Sequence, residues 1–371
     1  MTGRTATSGS ALAGRALAAV AALALTLIMP GKAAPAGAGA LRESEWALTS
    51  LKAEQAWKIT KGEGVTVAVI GTGVDASHPD LRGRVIKSSD VYNTRDEGTA
   101  PFQGTYAAGI IAGTGRNYRG DGLVGLAPEA RILPFRVYRD NTSPATATAK
   151  SITAATLQGA QVIDVTVGFR RSSPALKAAV EYAVRHGALV VAGAGDTGGT
   201  GNAQTYPAAY PEVLSVAAID KKGALWPDSH RGKNVDLAAP GVDILTTARN
   251  DDYWTGSGTG FAASWVSASA ALVRAQHPKW TVDQVTRRLT ETATPRGRGQ
   301  GSAIVAPAAA LPQRTAVSDS ASTVSADRDA ATRSSDTGPI MVVSAATGAL
   351  VVLAGVSWFL IRRTVSATDD D

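Results

Sequence analysis

The chain has 371 residues, a formal net charge of +6 and 44% hydrophobic residues, so one large core can form within it. It contains no cysteine, which excludes a disulfide framework, thiolate metal sites and a cysteine nucleophile. Lys and Arg are spread along the chain rather than clustered, so the charge reads as a solvated surface with no nucleic-acid module.

Residues 1–40 read as a secretory signal. Arg4 and Arg15 supply positive charge, residues 16–29 are apolar but short, and small-residue cleavage options follow at Ala34-Pro35-Ala36, Ala36-Gly37-Ala38 and Ala38-Gly39-Ala40. The alternative is an uncleaved N-terminal anchor. Residues 41–63 carry spaced apolar positions (Trp46, Leu48, Leu51, Ala56, Trp57) and read as a short arm packed on the domain.

Strands and helices then alternate. Residues 65–70 are a continuous apolar run, the mark of a strand buried on both faces. A Gly/Ala-rich helix is expected over 103–112, a strand over 132–137, a helix over 146–158 and a strand over 162–167. Ser173 and Pro174 cap and open a helix that runs to about His186, and Gly187 stops it. Further buried strands are expected over 189–194 and 213–219, and weaker ones over 235–238 and 243–247. A helix from about Gly260 ends before Pro278, and Thr281 with Gln284 forms a capping box for the last helix. The alternation predicts an α/β domain over 41–312, with a mostly parallel sheet and helices on both faces. Ligands in such a sheet belong at the carboxyl ends of the strands.

Beyond residue 312 the composition changes. Residues 313–339 are rich in Ser, Ala, Thr and Asp and read as a flexible linker. Residues 340–361 hold no charge, and as a helix these 22 residues rise about 33 Å, enough to cross a bilayer core. Arg362 and Arg363 follow at once, so the positive-inside rule places residues 362–371 in the cytoplasm. The expected location is the cell membrane, with one C-terminal transmembrane helix and the domain on the extracytoplasmic side.

The stretch Ser257-Gly258-Thr259-Gly260-Phe261-Ala262-Ala263-Ser264-Trp265 starts as a glycine-rich turn and continues as a helix of small residues. Unpaired N–H groups and the positive end of a helix dipole meet at such a turn. Two other stretches stand out. One is Val67-Ala68-Val69-Ile70-Gly71-Thr72-Gly73-Val74-Asp75, followed by Ser77-His78-Pro79-Asp80-Leu81; the other is Gln103-Gly104-Thr105-Tyr106-Ala107-Ala108-Gly109. Together they resemble the three catalytic segments of the subtilisin-like serine proteases, over roughly residues 44–310. The layout of signal, arm, domain, linker and membrane helix most resembles the mycosins of type VII secretion. Gly71 and Gln103 are 32 positions apart, and Gln103 and Gly260 are 157 apart; both separations match the subtilisin triad.

The resemblance implies a subtilisin-like fold, with Gly71, Gln103 and Gly260 at the positions of the catalytic aspartate, histidine and serine. Asp196 falls where the family has its oxyanion-stabilising asparagine. No catalytic residue is therefore expected. Thr166, Val167 and Gly168, in the segment Asp164–Gly168, and Ala192, Gly193 and Ala194 match the strand edges that bind extended peptides in the family. Ser257, Ser264, Ser267, Asp75, His78, His186, His230 and His277 are the residues a relocated triad would have to use. Trp265 either packs in the core or fills the emptied site. No cofactor or metal site is indicated, although structural calcium stays open. The leading expectation is a membrane-anchored pseudoprotease that binds a peptide or protein partner, with secretion-machinery components among the candidates. An active serine endopeptidase and a structural membrane protein with a filled cleft are the alternatives.

Overall fold

The computed structural model describes residues 41, 45–87, 102–138, 144–296 and 302–312. The signal, the linker, the membrane helix and the tail expected from the sequence lie outside these residues. Among the described residues no helix is long and apolar enough to cross a membrane.

Six strands run parallel in one sheet: β1 (Thr66–Gly71), β2 (Arg131–Arg136), β3 (Val162–Val165), β4 (Leu189–Gly193), β5 (Leu214–Ile219) and β6 (Leu237–Pro240). Their spatial order is β2-β1-β3-β4-β5-β6. The apolar run of β1 is explained by what covers it. Val67 and Val69 point into one core layer, Ala68 and Ile70 into the other, and all four are fully buried.

The Val67 layer is shared with α3 (Gln103–Ala112) and α6 (Thr259–Gln276), and the Ala68 layer with α4 (Ala145–Leu157) and α5 (Pro174–Arg185). These four helices follow the short arm helices α1 (Trp46–Ser50) and α2 (Ala53–Trp57), and α7 (Val282–Glu291) and α8 (Pro307–Ala310) close the described chain. The expected caps are present: Ser173 Oγ accepts from Leu176 N, and Thr281 and Gln284 exchange both capping-box bonds. The arm packs as expected, with Ala47, Leu51, Ala53 and Ala56 in the core. Trp57 Nε1 donates to Leu126 O at 2.8 Å and Val124 N to Glu45 Oε1 at 2.9 Å.

Helix α6 is the axis of the domain. Every residue from Ala262 to Arg274 is buried, and a helix apolar or small on all sides is one enclosed by its neighbours. It lies against β3, β4, β5 and β6 on one flank and α3 on another. Trp265 is 4% exposed and packs in this core beside Trp46, Ile110 and Leu245.

Two sequence expectations are corrected. The sixth strand is Leu237–Pro240 rather than 235–238, because Val235 is turned in by its bond to Gly232 O and Asp236 binds Ser215 through backbone and carboxylate. The strand β7 (Ile244–Thr247) is also not alone: it pairs antiparallel with β8 (Tyr253–Gly256), which the sequence reading leaves as loop. The hairpin closes through Asn250 and Asp251, both in the left-handed region (φ 59° and 62°) that Asn and Asp tolerate.

Candidate functional site

The register of the central strands builds the site. Ile70 is level with Val165, and Val165 with Ala192. The next residues, Gly71, Thr166 and Gly193, therefore emerge side by side at the carboxyl ends of β1, β3 and β4. Helices α3 and α6 start over these ends. Gln103 is the first residue of α3, and Gly104 N donates to Thr72 Oγ1 at 3.0 Å. Gly104 is glycine because the chains meet there: a Cβ would lie 2.1 Å from the Gly73 carbonyl oxygen. Gly260 is the second residue of α6, and a Cβ on Gly193 would come within 2.8 Å of its nitrogen. Tyr106, three residues past Gln103, stacks on Phe261 with ring centroids 6.0 Å apart. The fold thus gathers Gly71, Gln103 and Gly260 at the carboxyl ends of the central strands.

The surroundings of the three differ. Gly71 is buried, and a Cβ there would lie 2.2 Å from Thr166 Oγ1. That hydroxyl donates to Ile70 O at 3.1 Å, so it fills the space beside Gly71 and is held there. Gln103 Oε1 is buried without a hydrogen-bond partner. Gly260 is half-buried, and a Cβ on it would meet nothing within 4 Å.

Asp196 closes the start of α6. Its Oδ1 accepts from Thr259 N at 2.8 Å and from Thr259 Oγ1 at 2.7 Å, while Thr259 Oγ1 accepts from Gly195 N at 3.1 Å. Gly258, at the N-cap, has no side chain to offer, so Asp196 performs the capping from the neighbouring turn. A carboxylate there meets the positive end of the helix dipole. Loss of hydration, with the Asp228 carboxylate adding to it, pushes the Asp196 carboxyl up from its ordinary value, and the two Thr259 bonds oppose that shift.

The segments matched to peptide binding divide in two. Ala192 and Ala194 are buried within the sheet, and Ala194 N donates to Val216 O at 2.8 Å; Gly193 is half-buried and faces Thr259. Thr166 N donates to Ile70 O at 3.0 Å, but the backbones of Val167 and Gly168 make no hydrogen bond among the described residues.

The residues a relocated triad would need are placed elsewhere. Ser264 Oγ donates to Asp164 Oδ2 at 2.8 Å inside the core, and Ser257 Oγ accepts from Asp243 N at 2.9 Å. His78 is fully buried, with Nε2 at 3.1 Å from Asp252 O and Nδ1 accepting from Asp80 N at 3.1 Å. His186 bonds Tyr182 O, His230 bonds Asn234 and His277 stacks on Trp280. Ser267 Oγ is buried without a partner, and Asp75 bonds Ser77 and Asn250 N. Among the described residues no group of three His, Cys, Asp or Glu side chains is placed to hold a metal. Asp80, in the Ser77–Leu81 turn, accepts from Asn117 N at 2.8 Å, Leu123 N at 2.9 Å and Tyr253 Oη at 2.5 Å. Burial and this carboxylate push the Tyr253 hydroxyl far up.

The Subtilase family matches over residues 62–337. The chain belongs to the subtilase family. Thermitase of Thermoactinomyces vulgaris is 39% identical over 228 residues, which are 61% of this chain and 80% of that protein. Among solved structures, MycP1 from Mycobacterium smegmatis superposes with a TM-score of 0.62 at 30% identity, covering 72% of this chain and 84% of the other. The MycP3 protease from the type VII (ESX-3) secretion system gives 0.59 at 30% identity, covering 72% and 88%. The sheet and the two helix layers are therefore those of a subtilase.

One feature of this subtilase's cleft is not visible in the motifs. Tyr106 lies parallel to Trp254 at 6.4 Å as well as to Phe261, and Phe102 meets Tyr106 edge-on at 6.4 Å. Burial pushes the Tyr106 hydroxyl up to about 12, so it stays neutral at physiological pH. Trp254 and Phe261 come together only because the β7–β8 hairpin returns beside the start of α6. A paired strand at Tyr253–Gly256, had the Asn250-Asp251 turn been read as a hairpin, was the available signal.

Proposed function

We propose that this subtilase binds a peptide or protein segment in its cleft and does not cleave it. The observation that carries the reading is Gly260. A residue with no side-chain atoms stands where the family resemblance places the nucleophile, so no acyl-enzyme can form there. The rest of the machinery is consistent. The Gln103 amide neither takes nor gives a proton near neutral pH. Gly71 has nothing to orient a base, and Thr166 fills the adjoining space. An oxyanion-hole amide contributes about 3 kcal/mol to the transition state; an ionised Asp196 would repel the developing charge. Binding needs less. The unpaired backbone of Val167 and Gly168 can add a peptide strand.

In this proposal the chain is a single-pass membrane protein with the domain outside and the C-terminus in the cytoplasm. Support comes from the apolar, charge-free residues 340–361 and the arginines after them. Likeness to MycP1 and MycP3 supports a place beside a type VII secretion machine. The second reading, a working serine endopeptidase, is favoured by the 39% identity to thermitase.

The test is fluorophosphonate labelling and peptide hydrolysis by the purified full chain. It runs beside the variant Gly71→Asp, Gln103→His, Thr166→Ala, Asp196→Asn, Gly260→Ser. The Thr166 change is included because its hydroxyl occupies the room that the new aspartate needs. The natural chain is expected to stay unlabelled and silent while binding peptides of its exported partners, and the variant to label. A natural chain that labels and cleaves establishes the endopeptidase instead. Silence from both, with no peptide bound, means a filled cleft and a structural role.

A further inference from the structure

A buried acid lies beneath the first turn of α6. Asp164 breaks the apolar run of β3, and none of it reaches solvent. Its neighbours across the sheet are Val69 on β1 and Val191 on β4. From α6 it meets Ser264 and Ser267, and no charged group faces it from any of these elements. The α6 arginine, Arg274, is engaged at the far end of the helix with Trp280 O and Gly187 O. The one titratable side chain of α3, Tyr106, is stacked in the aromatic group.

Ser264 joins this acid to the cleft. Its Oγ stands 2.8 Å from Asp164 Oδ2 and 3.2 Å from the Gly260 carbonyl oxygen. A hydroxyl has one proton, so it serves one of these acceptors well at a time. An ionised Asp164 claims it, has the Ser267 hydroxyl as its only other polar neighbour from α6 and meets no cation, an expensive state for a charge in an apolar interior. A neutral Asp164 with its proton on Oδ2 donates to Ser264 Oγ, and Ser264 then donates to Gly260 O.

We propose that Asp164 and Ser264 form a proton-controlled switch, in which protonation of the buried acid lets Ser264 hold the Gly260 carbonyl and ionisation withdraws that bond from the first turn of α6. Burial pushes the Asp164 carboxyl up to about 7, which places the change in the physiological range. The switch acts at the glycine that has no neighbour on its open side, so the cleft-facing turn tightens in acid and loosens in base. The inference stands on the packing of β3 and α6 and does not depend on whether the cleft cleaves or binds.

The experiment uses the full chain labelled with 15N-phenylalanine and 13C-carboxyl aspartate. The chain has five phenylalanines, so the Phe261 amide, which belongs to the Gly260 carbonyl's own peptide group, is resolved in a sparse spectrum. Across about pH 5 to 9 the Asp164 carboxyl and the Phe261 amide are expected to titrate with one shared midpoint. Asp164→Asn should abolish the Phe261 change. Ser264→Ala should leave Asp164 titrating at a higher pH, because it loses a bond that favours its ionised form, while Phe261 no longer follows. Stability gives a reading on the natural chain. The folded acid keeps a proton that the unfolded chain has lost, so the urea midpoint should fall as pH rises from about 4 through about 7, with that slope missing in Asp164→Asn. An Asp164 already ionised at pH 5, or a Phe261 titration that survives either substitution, overturns the switch.

Discussion

The two ends of the cleft carry the same residue in opposite settings. At Gly71, buried at the end of β1, a Cβ would meet Thr166 Oγ1 at 2.2 Å; at Gly260, in the first turn of α6, it would meet nothing within 4 Å. The difference follows from where each lies. A void in the interior forfeits dispersion contacts and is filled wherever a neighbour can reach it. Thr166 reaches it, and its hydroxyl finds a carbonyl at Ile70. A void at a cleft mouth is open to water or a ligand and exerts no such demand. The space beside one glycine is filled by a neighbouring side chain, and the space beside the other is open.

The substitution that most directly breaks this contrast is Gly71→Asp on its own. It puts an uncompensated carboxylate into an occupied interior and should cost about 3–5 kcal/mol in urea unfolding of the full chain; adding Thr166→Ala should recover part of that cost, with a coupling of about 1 kcal/mol. No coupling would mean that Thr166 does not occupy the aspartate's place. Next in size is Asp196→Ala, which removes the cap of α6 and should lower stability by about 1 kcal/mol, whereas Asp196→Asn keeps an acceptor for Thr259 and should cost only a few tenths. The smallest effect has the reverse sign. Gly260→Ala adds a methyl group to open space in a helical turn and should raise stability by about 0.5–1 kcal/mol; a loss would show that the gap is not there.

Much of the fold was legible because its signals are local. The helix over residues 103–112 has the expected bounds, and the Ser173-Pro174 and Thr281–Gln284 caps form as their side chains dictate. The β8 strand was missed because half-buried Trp254 and Thr255 show no apolar run and the preceding turn rests on left-handed Asn250 and Asp251. In the site, spacing singles out Gly71, Gln103 and Gly260, and the structure places the first at the end of β1 and the other two in the first turns of α3 and α6. What spacing could not carry was their surroundings. Thr166 fills the room at Gly71 from 95 positions away, and Ser264 binds Asp164 across 100. Asp164 is the single charge in its strand, a signal that the sequence reading left unused, and only packing shows that its partner is a serine rather than a cation.

Asp80 was described above through its hydrogen bonds, and its wider consequence is mechanical. Its two oxygens tie the turn at Pro79–Leu81 to Asn117, Leu123 and Tyr253, which are 37, 43 and 173 positions away in the chain. Gly122 leaves room for it, since a Cβ there would lie 2.3 Å from Asp80 Oδ1. In a chain without cysteine, this buried carboxylate works as a multi-point staple across distant loops. Reductants cannot cut it, and if the hairpin of Tyr253 lifts away, the bonds from Asn117 N and Leu123 N still hold the other two loops together.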